Sequence, residues 1–315
     1  MCFGAIEREM VMKSTRPCLI CVLVGVVVVS GYGREPVVRR EMKAARTIRD
    51  ALWLWGHQAG SYNKGGAFGL PGKSRMTPVE GAYCLGVPNL MFVRFDNQPE
   101  PPFRQHALPM RRLNRIVWSI VGDASSKAND QQPDLKEVIA LGREFPNLSG
   151  AMMDDFFRGD HGRYTPDQIS GFRRQLHAAK QPLDLYVVLY THDLDKPVKA
   201  HLDAVDAITF WTWKARDLKD LESNFRRLEE IAPDTRKLLG VYMWDFGASA
   251  PMPLDAMEHQ CRLGLDWLRT GRVEGLVFLT NCIMDLDLEA VEYARRLIDQ
   301  VGDEPLLDCG TRVNR

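Results

Sequence analysis

The sequence has no excess of charge of either sign: 41 Lys and Arg balance 41 Asp and Glu, for a formal net charge of zero. That balance removes the electrostatic footprint expected of a nucleic-acid binder and any general attraction to an anionic membrane surface. Cysteine is sparse. Cys2, Cys18 and Cys21 lie near the N-terminus, and Cys84, Cys261, Cys282 and Cys309 lie beyond it. No Cys-x-x-Cys pair occurs among the latter four, which argues against a thiolate zinc centre, and their spacing dictates no disulfide pairing. No Gly-x-Gly-x-x-Gly follows the first apolar run, as a dinucleotide-binding sheet would require. The glycines at Gly65, Gly66 and Gly69 lack the lysine and hydroxyl residue of a phosphate loop and read as a flexible rim. Repeats, low-complexity tracts and a second-domain linker are missing as well.

A single long apolar run, Cys18–Val29, is short against the roughly 20 apolar residues of a spanning helix. Lys13 and Arg16 precede it, and Ser30-Gly31-Tyr32-Gly33 follow it. A basic start, an apolar core and a small-residue exit describe a secretory signal peptide over residues 1–33, for which Met12 is a tidier start than Met1. The expectation is an exported protein, periplasmic or extracellular, whose mature chain is not inserted in a membrane and whose folded domain spans 34–315.

The whole sequence is 45% hydrophobic, and beyond the expected leader it alternates apolar runs with amphipathic stretches. The runs are Ala51–Trp55, Asn89–Val93, Arg115–Val121, Leu148–Met153, Leu183–Tyr190, Ala207–Trp211, Leu238–Trp244 and Gly275–Thr280. Near-continuous apolar runs suit parallel strands covered on both faces. Helical periodicity appears over Asp134–Phe145, with Asp134 as expected cap, and over Thr165–His177, with Thr165 as cap and Pro166 at the first helical position. It recurs over Asp217–Ile231, Leu254–Leu268 and Leu286–Val301; the gaps before the second and third runs are less regular. Eight strands alternating with helices predict a single (β/α)8 TIM barrel.

In such barrels the site lies at the carboxyl ends of the strands. Here those ends carry His57, Arg94, Asp96, Asp123, Asp154, Asp155, Tyr190, His192, Trp211, Trp213, Trp244, Asp245 and Asn281. The sharpest element is Met152-Met153-Asp154-Asp155-Phe156-Phe157, since two adjacent carboxylates among apolar residues are costly to bury and raise one another's pKa. Consecutive side chains at a strand end point different ways, so one carboxyl can face substrate as a general acid while the other orients it. Asp245 fits a nucleophile, a base or a clamp for sugar hydroxyls. Trp211, Trp213 and Trp244 offer flat faces for sugar rings. His57 and His192, with Asp96, Asp123 and Asp155, are also of metal-ligand type, but no His-x-His pair supports a metal; no metal and no cofactor is expected.

Three motifs resemble the O-GlcNAcase-type β-N-acetylglucosaminidases. They are Met152-Met153-Asp154-Asp155-Phe156 at strand four, Phe210-Trp211-Thr212 after strand six and Trp244-Asp245-Phe246 after strand seven. Trp213 stands where that family has glycine, and Phe246 where it has asparagine. The resemblance implies a barrel glycosidase in which Asp154 orients a substrate acetamido group, Asp155 is the general acid/base and Asp245 binds sugar hydroxyls, with hydrolysis assisted by the substrate. The same residues also fit an ordinary two-carboxylate enzyme, with Asp155 as acid and Asp245 as nucleophile about 5–5.5 Å away, or as base at about 6.5–9.5 Å. A glycoside hydrolase acting on a polysaccharide or glycoconjugate is therefore the leading expectation. A non-catalytic carbohydrate-binding barrel and a metal-dependent hydrolase or lyase are the alternatives.

Overall fold

The computed structural model describes residues 46–306, apart from 65 and 160. The expected leader, its three cysteines, Gly65 and Cys309 lie outside the described residues. Among the described residues no helix is long and apolar enough to cross a membrane.

Eight strands close into a parallel barrel: β1 Leu52–Gly56, β2 Asn89–Phe92, β3 Arg115–Val121, β4 Leu148–Met153, β5 Asp184–Tyr190, β6 Ala207–Trp211, β7 Arg236–Tyr242 and β8 Gly275–Leu279. Each pairs with its sequence neighbours, and β8 closes the ring on β1 through Leu52 opposite Leu276 to Trp55 opposite Leu279. The fold is a (β/α)8 barrel. Its strands are buried almost throughout, as their apolar runs demanded. Glycine on β7 sets one interior contact. A Cβ at Gly240 would stand 2.0 Å from Cδ2 of Trp211, so the indole can lie across the barrel interior only because this position has no side chain.

The principal helices are α1 Pro78–Leu85, α2 Leu135–Gly142, α3 Pro166–His177, α4 Leu221–Ile231, α5 Leu254–Arg269 and α6 Glu289–Val301. Thr165 caps α3 as expected: its hydroxyl accepts from the Gln168 N–H, and the Gln168 side chain accepts from the Thr165 N–H. The same reciprocal box, Thr77 with Glu80, starts α1 in the irregular gap before β2. Its Thr-Pro-x-Glu signature is legible in sequence. Asp134 does not cap α2; its carboxylate instead receives Arg94 and the Asn129 amide. A 3-10 turn over Ala215–Asp220 precedes α4, and between β5 and β6 the chain makes only short turns, including Lys199–Leu202.

Strand seven ends at Tyr242 rather than Trp244. Tyr242 pairs with Leu279, the last residue of β8, so no neighbouring strand remains to continue the ladder. Trp244–Asp245 instead form a small antiparallel ribbon with Ala250–Pro251. This departure decides where Asp245 points.

Candidate active site

All eight strand ends converge on one chamber of about 320 Å³. Trp55 and His57 come from β1 and the residue after it, Phe95 from the β2 loop, and Asp123 from the β3 loop. Asp154 and Asp155 follow β4, while Tyr190, Trp211, Tyr242 and Leu279 close β5 to β8. The loop after β1 folds Tyr62 and Phe68 over this space, 4.8 Å apart between ring centroids, and Tyr62 packs on Phe95 at 5.1 Å. Trp213 and Phe246 stack at 6.1 Å to complete the wall. The chamber is thus a mostly aromatic enclosure with a few polar groups, the usual composition of a small-molecule site.

The carboxylates within it differ sharply. Asp123 is saturated: it accepts from the Ser125 N–H and hydroxyl, the Ser126 hydroxyl and the Asp96 N–H. It therefore acts as the keystone of its loop. Asp154 is 6% exposed. Burial first, then the charges of Asp155 and Asp123, push its carboxyl well above the ordinary carboxylate range, against the opposing hydrogen bond from the Asp155 N–H and the charge of Arg163. This environment favours its neutral form, in which it can donate a hydrogen bond. Asp155 accepts from the Tyr190 hydroxyl at 2.7 Å through one oxygen and from the Ala124 N–H at 2.9 Å through the other. Its backbone is left-handed, with φ of 39°, and is held there by its own N–H donating to Asp154 at 2.7 Å. For a non-glycine residue this conformation costs on the order of 1–3 kcal/mol. The strain turns the two carboxyls in different directions from adjacent positions.

Neighbouring groups are tuned to stay neutral. Burial, followed by the Asp155 charge, pushes the Tyr190 and Tyr242 phenols well above their ordinary value, so both remain protonated. The His57 Nδ1 meets the Val93 carbonyl at 2.9 Å. A carbonyl only accepts, so Nδ1 carries the hydrogen and Nε2 is the acceptor. Burial outweighs the Val93 bond and the Asp123 charge and lowers the imidazole pKa to about 4, so the ring is uncharged at neutral pH. The β3 loop is clamped from behind. Arg163 donates to the Gly122 and Ser126 carbonyls and to Asp130, while Arg158 donates to Asp130 and the Ala124 carbonyl. This clamp fixes the Ala124 N–H that addresses Asp155.

No protein family and no curated protein matches the chain. Solved structures do. The family 51 alpha-L-arabinofuranosidase of Bifidobacterium longum is 11% identical with a TM-score of 0.50, covering 81% of this chain and 74% of that one. A mutant xylanase A of P. fluorescens subsp. cellulosa is 10% identical with a TM-score of 0.49, covering 78% and 96%. The tryptophan synthase alpha-subunit of Pyrococcus furiosus is 11% identical with a TM-score of 0.48, covering 80% and 98%. The likeness is one of fold. Glycoside hydrolases are prominent among the matched barrels, and a barrel of different chemistry matches equally well.

Several residues expected at the site lie elsewhere. Asp245 does not share the chamber with Asp155. The ribbon strand after β7 ends at Asp245, and the chain turns at Phe246, whose ring enters the chamber while Asp245 faces a separate cleft of about 660 Å³ with Arg216, Lys219, Asp255 and His259. Trp244 is buried and donates its indole N–H to the Phe68 carbonyl at 2.9 Å, tethering the chamber's covering loop. Arg94 is buried in an ion pair with Asp134, so its charge is already compensated. Asp96 faces outward and pairs with Lys64. Asn281 tethers the β1 end by accepting from the His57 N–H and donating to the Met76 carbonyl. His57, Asp123, Asp154, Asp155, Tyr190, Trp211 and Trp213 line the chamber, and His192 stacks on Tyr190 just outside it. Tyr62, Phe68, Phe95, Tyr242 and Phe246 were not expected there. Phe246 sits in a turn beyond the strand, and the loop aromatics Tyr62, Phe68 and Phe95 carry no periodic signal.

His177, Asp184 and Asp206 present metal-ligand atoms within 4.8 Å of one another near the opposite, amino-terminal ends of β5 and β6. Arg173 pairs with Asp206 and Arg236 with Asp184, so these carboxylates already have their counter-ions.

Proposed function

We propose that this chain is a glycoside hydrolase whose chemistry is carried by Asp154 and Asp155. The supporting observation is the pairing, at one barrel mouth, of a buried carboxyl whose neutral form is favoured with a strained carboxyl that also borders the outer face of an aromatic chamber. Asp155 acts on the glycosidic oxygen, passing to the leaving group the single proton held by the carboxyl pair and then taking one from water. Asp154, once that proton has passed through Asp155 to the leaving group, is the carboxylate that accepts the N–H of a 2-acetamido substituent. Tyr190 fixes the Asp155 carboxyl, and Trp55, Trp211 and Trp213 offer ring faces to the sugar. Export by the expected leader would place this activity outside the cytoplasm.

The position of Asp245 bears on mechanism. An ordinary retaining or inverting enzyme needs a second carboxylate across the bond. Asp245 faces another cleft, and Asp123 is consumed by its own loop. This favours assistance from the substrate, in which a 2-acetamido oxygen attacks the anomeric carbon while Asp155 protonates the departing oxygen. Water then opens the cyclic intermediate with Asp155 as base. Asp154 would bind that acetamido group, as the resemblance to the β-N-acetylglucosaminidases implies. Trp213 and Phe246, standing where that family has glycine and asparagine, present rings instead of an amide to the sugar.

The test is a panel of p-nitrophenyl glycosides, with and without a 2-acetamido group, offered to the wild type and to Asp155→Asn. Turnover in the wild type, with a loss of ~10³-fold or more in a folded variant, supports the reading. Full activity in Asp155→Asn, or wild-type binding of sugars without any release of product, would overturn it. Preference for glycosides lacking the acetamido group would remove substrate assistance alone.

A further inference from the structure

Asp155 is the one carboxylate of the chamber that also borders a second space. With Ala124, Tyr190 and Trp213 it lines an outer groove of about 350 Å³, which adds Phe157, Arg158 and His192. Asp123 and Asp154 line only the inner chamber. A glycoside consists of two halves joined by one oxygen, and a group that protonates this oxygen has to meet both halves. Resting on the reading of Asp155 given above, we propose that the outer groove is the leaving-group subsite, with the His192 imidazole as its stacking platform.

The groove's chemistry specifies what it takes. The His192 ring lies on Tyr190 with centroids 5.1 Å apart and planes 6° from parallel, while the side chain remains 58% exposed. One ring face is thus covered and held flat by Tyr190, and the opposite face is presented outward. Trp213 stands edge-on to Tyr190 at 6.0 Å, and Phe157 adds apolar surface beyond Asp155. Arg158, the cation of the groove, already donates to both Asp130 oxygens and to the Ala124 carbonyl. Arg158 shares Asp130 with Arg163, and the Asp155 carboxylate borders the same groove, so two acids face two guanidiniums there and the groove suits an uncharged leaving group with a flat apolar face, a second sugar or an aromatic ring, over one bearing phosphate or carboxylate.

The experiment compares two substrates of the same sugar: the p-nitrophenyl glycoside selected by the panel and the corresponding glycosyl fluoride, whose leaving group is too small to reach the groove. His192→Ala is expected to raise KM for the p-nitrophenyl glycoside roughly tenfold more than for the fluoride, the scale of one lost aromatic contact. His192→Phe, which keeps a flat ring, is expected to restore most of the difference. Equal effects on both substrates, or none on either, would overturn the assignment while leaving Asp155 in place. A titration of Asp155→Asn with the p-nitrophenyl thioglycoside reads the same contact without turnover, and the His192→Ala change is expected to weaken binding there by a similar factor. Unchanged binding overturns the subsite. The parent reading fails separately, through Asp155→Asn retaining full activity on both substrates.

Discussion

Replacing Asp154 with asparagine separates the electrostatics of the site from its packing. The variant keeps size and shape, and its carbonyl still accepts from the Asp155 N–H, as Asp154 does at 2.7 Å. What disappears is a titration. Burial, then Asp155 and Asp123, raise the Asp154 pKa in the folded protein above the value of about 3.9 for an unfolded chain. Below about pH 4 both states hold the proton, and no penalty exists. Above that pH the unfolded chain releases its proton while the folded chain keeps it. Wild-type stability therefore falls as pH rises, by up to about 1.4 kcal/mol per pH unit for one proton. The fall levels off once pH passes the folded pKa. The asparagine variant escapes this loss, so its stability relative to the wild type should climb from about pH 4 upward and then reach a plateau. Urea unfolding at half-unit steps from pH 4 to pH 8 gives both curves. Parallel curves across that window would refute the claim that the folded barrel holds a proton on Asp154.

The remaining predictions concern the walls and the excluded residues. Gly240→Ala forces a methyl into the Trp211 indole and should cost about 1–3 kcal/mol by chemical denaturation, with a change in tryptophan fluorescence as the ring moves; unaltered stability and emission would contradict the close approach. Asp245→Asn, at a side chain that faces the other cleft, should leave kcat within about twofold on the panel's best substrate, whereas a nucleophile there would cost several orders of magnitude. Arg94→Ala removes the buried guanidinium that pairs with the part-buried Asp134 carboxylate and should lose about 1–3 kcal/mol at neutral pH, while Arg94→Met with Asp134→Leu should recover most of it. A single variant as stable as the wild type would show that the pair is not buried as described.

The linear chain announced its barrel because each strand is covered on both sides by barrel interior and helices. Leu148–Met153 and Ala207–Trp211 were readable to the residue, since burial on two faces leaves an uninterrupted apolar run. The acidic pair was equally legible: adjacent aspartates between Met153 and Phe156 leave no ordinary surface explanation. What one dimension does not hold is direction. Asp245 and Phe246 are neighbours with the same strand-end signature, yet the ribbon ends between them, so the ring enters the chamber and the carboxylate faces another cleft. Arg94 looked available until the fold brought Asp134, forty residues on, against its guanidinium. Tyr62, Phe68 and Phe95 entered the chamber by loop closure, which depends on contacts such as Trp244 to Phe68 that span most of the chain. Periodicity records which residues are buried; only the closed ring of strands decided which of them face one another across the same cavity.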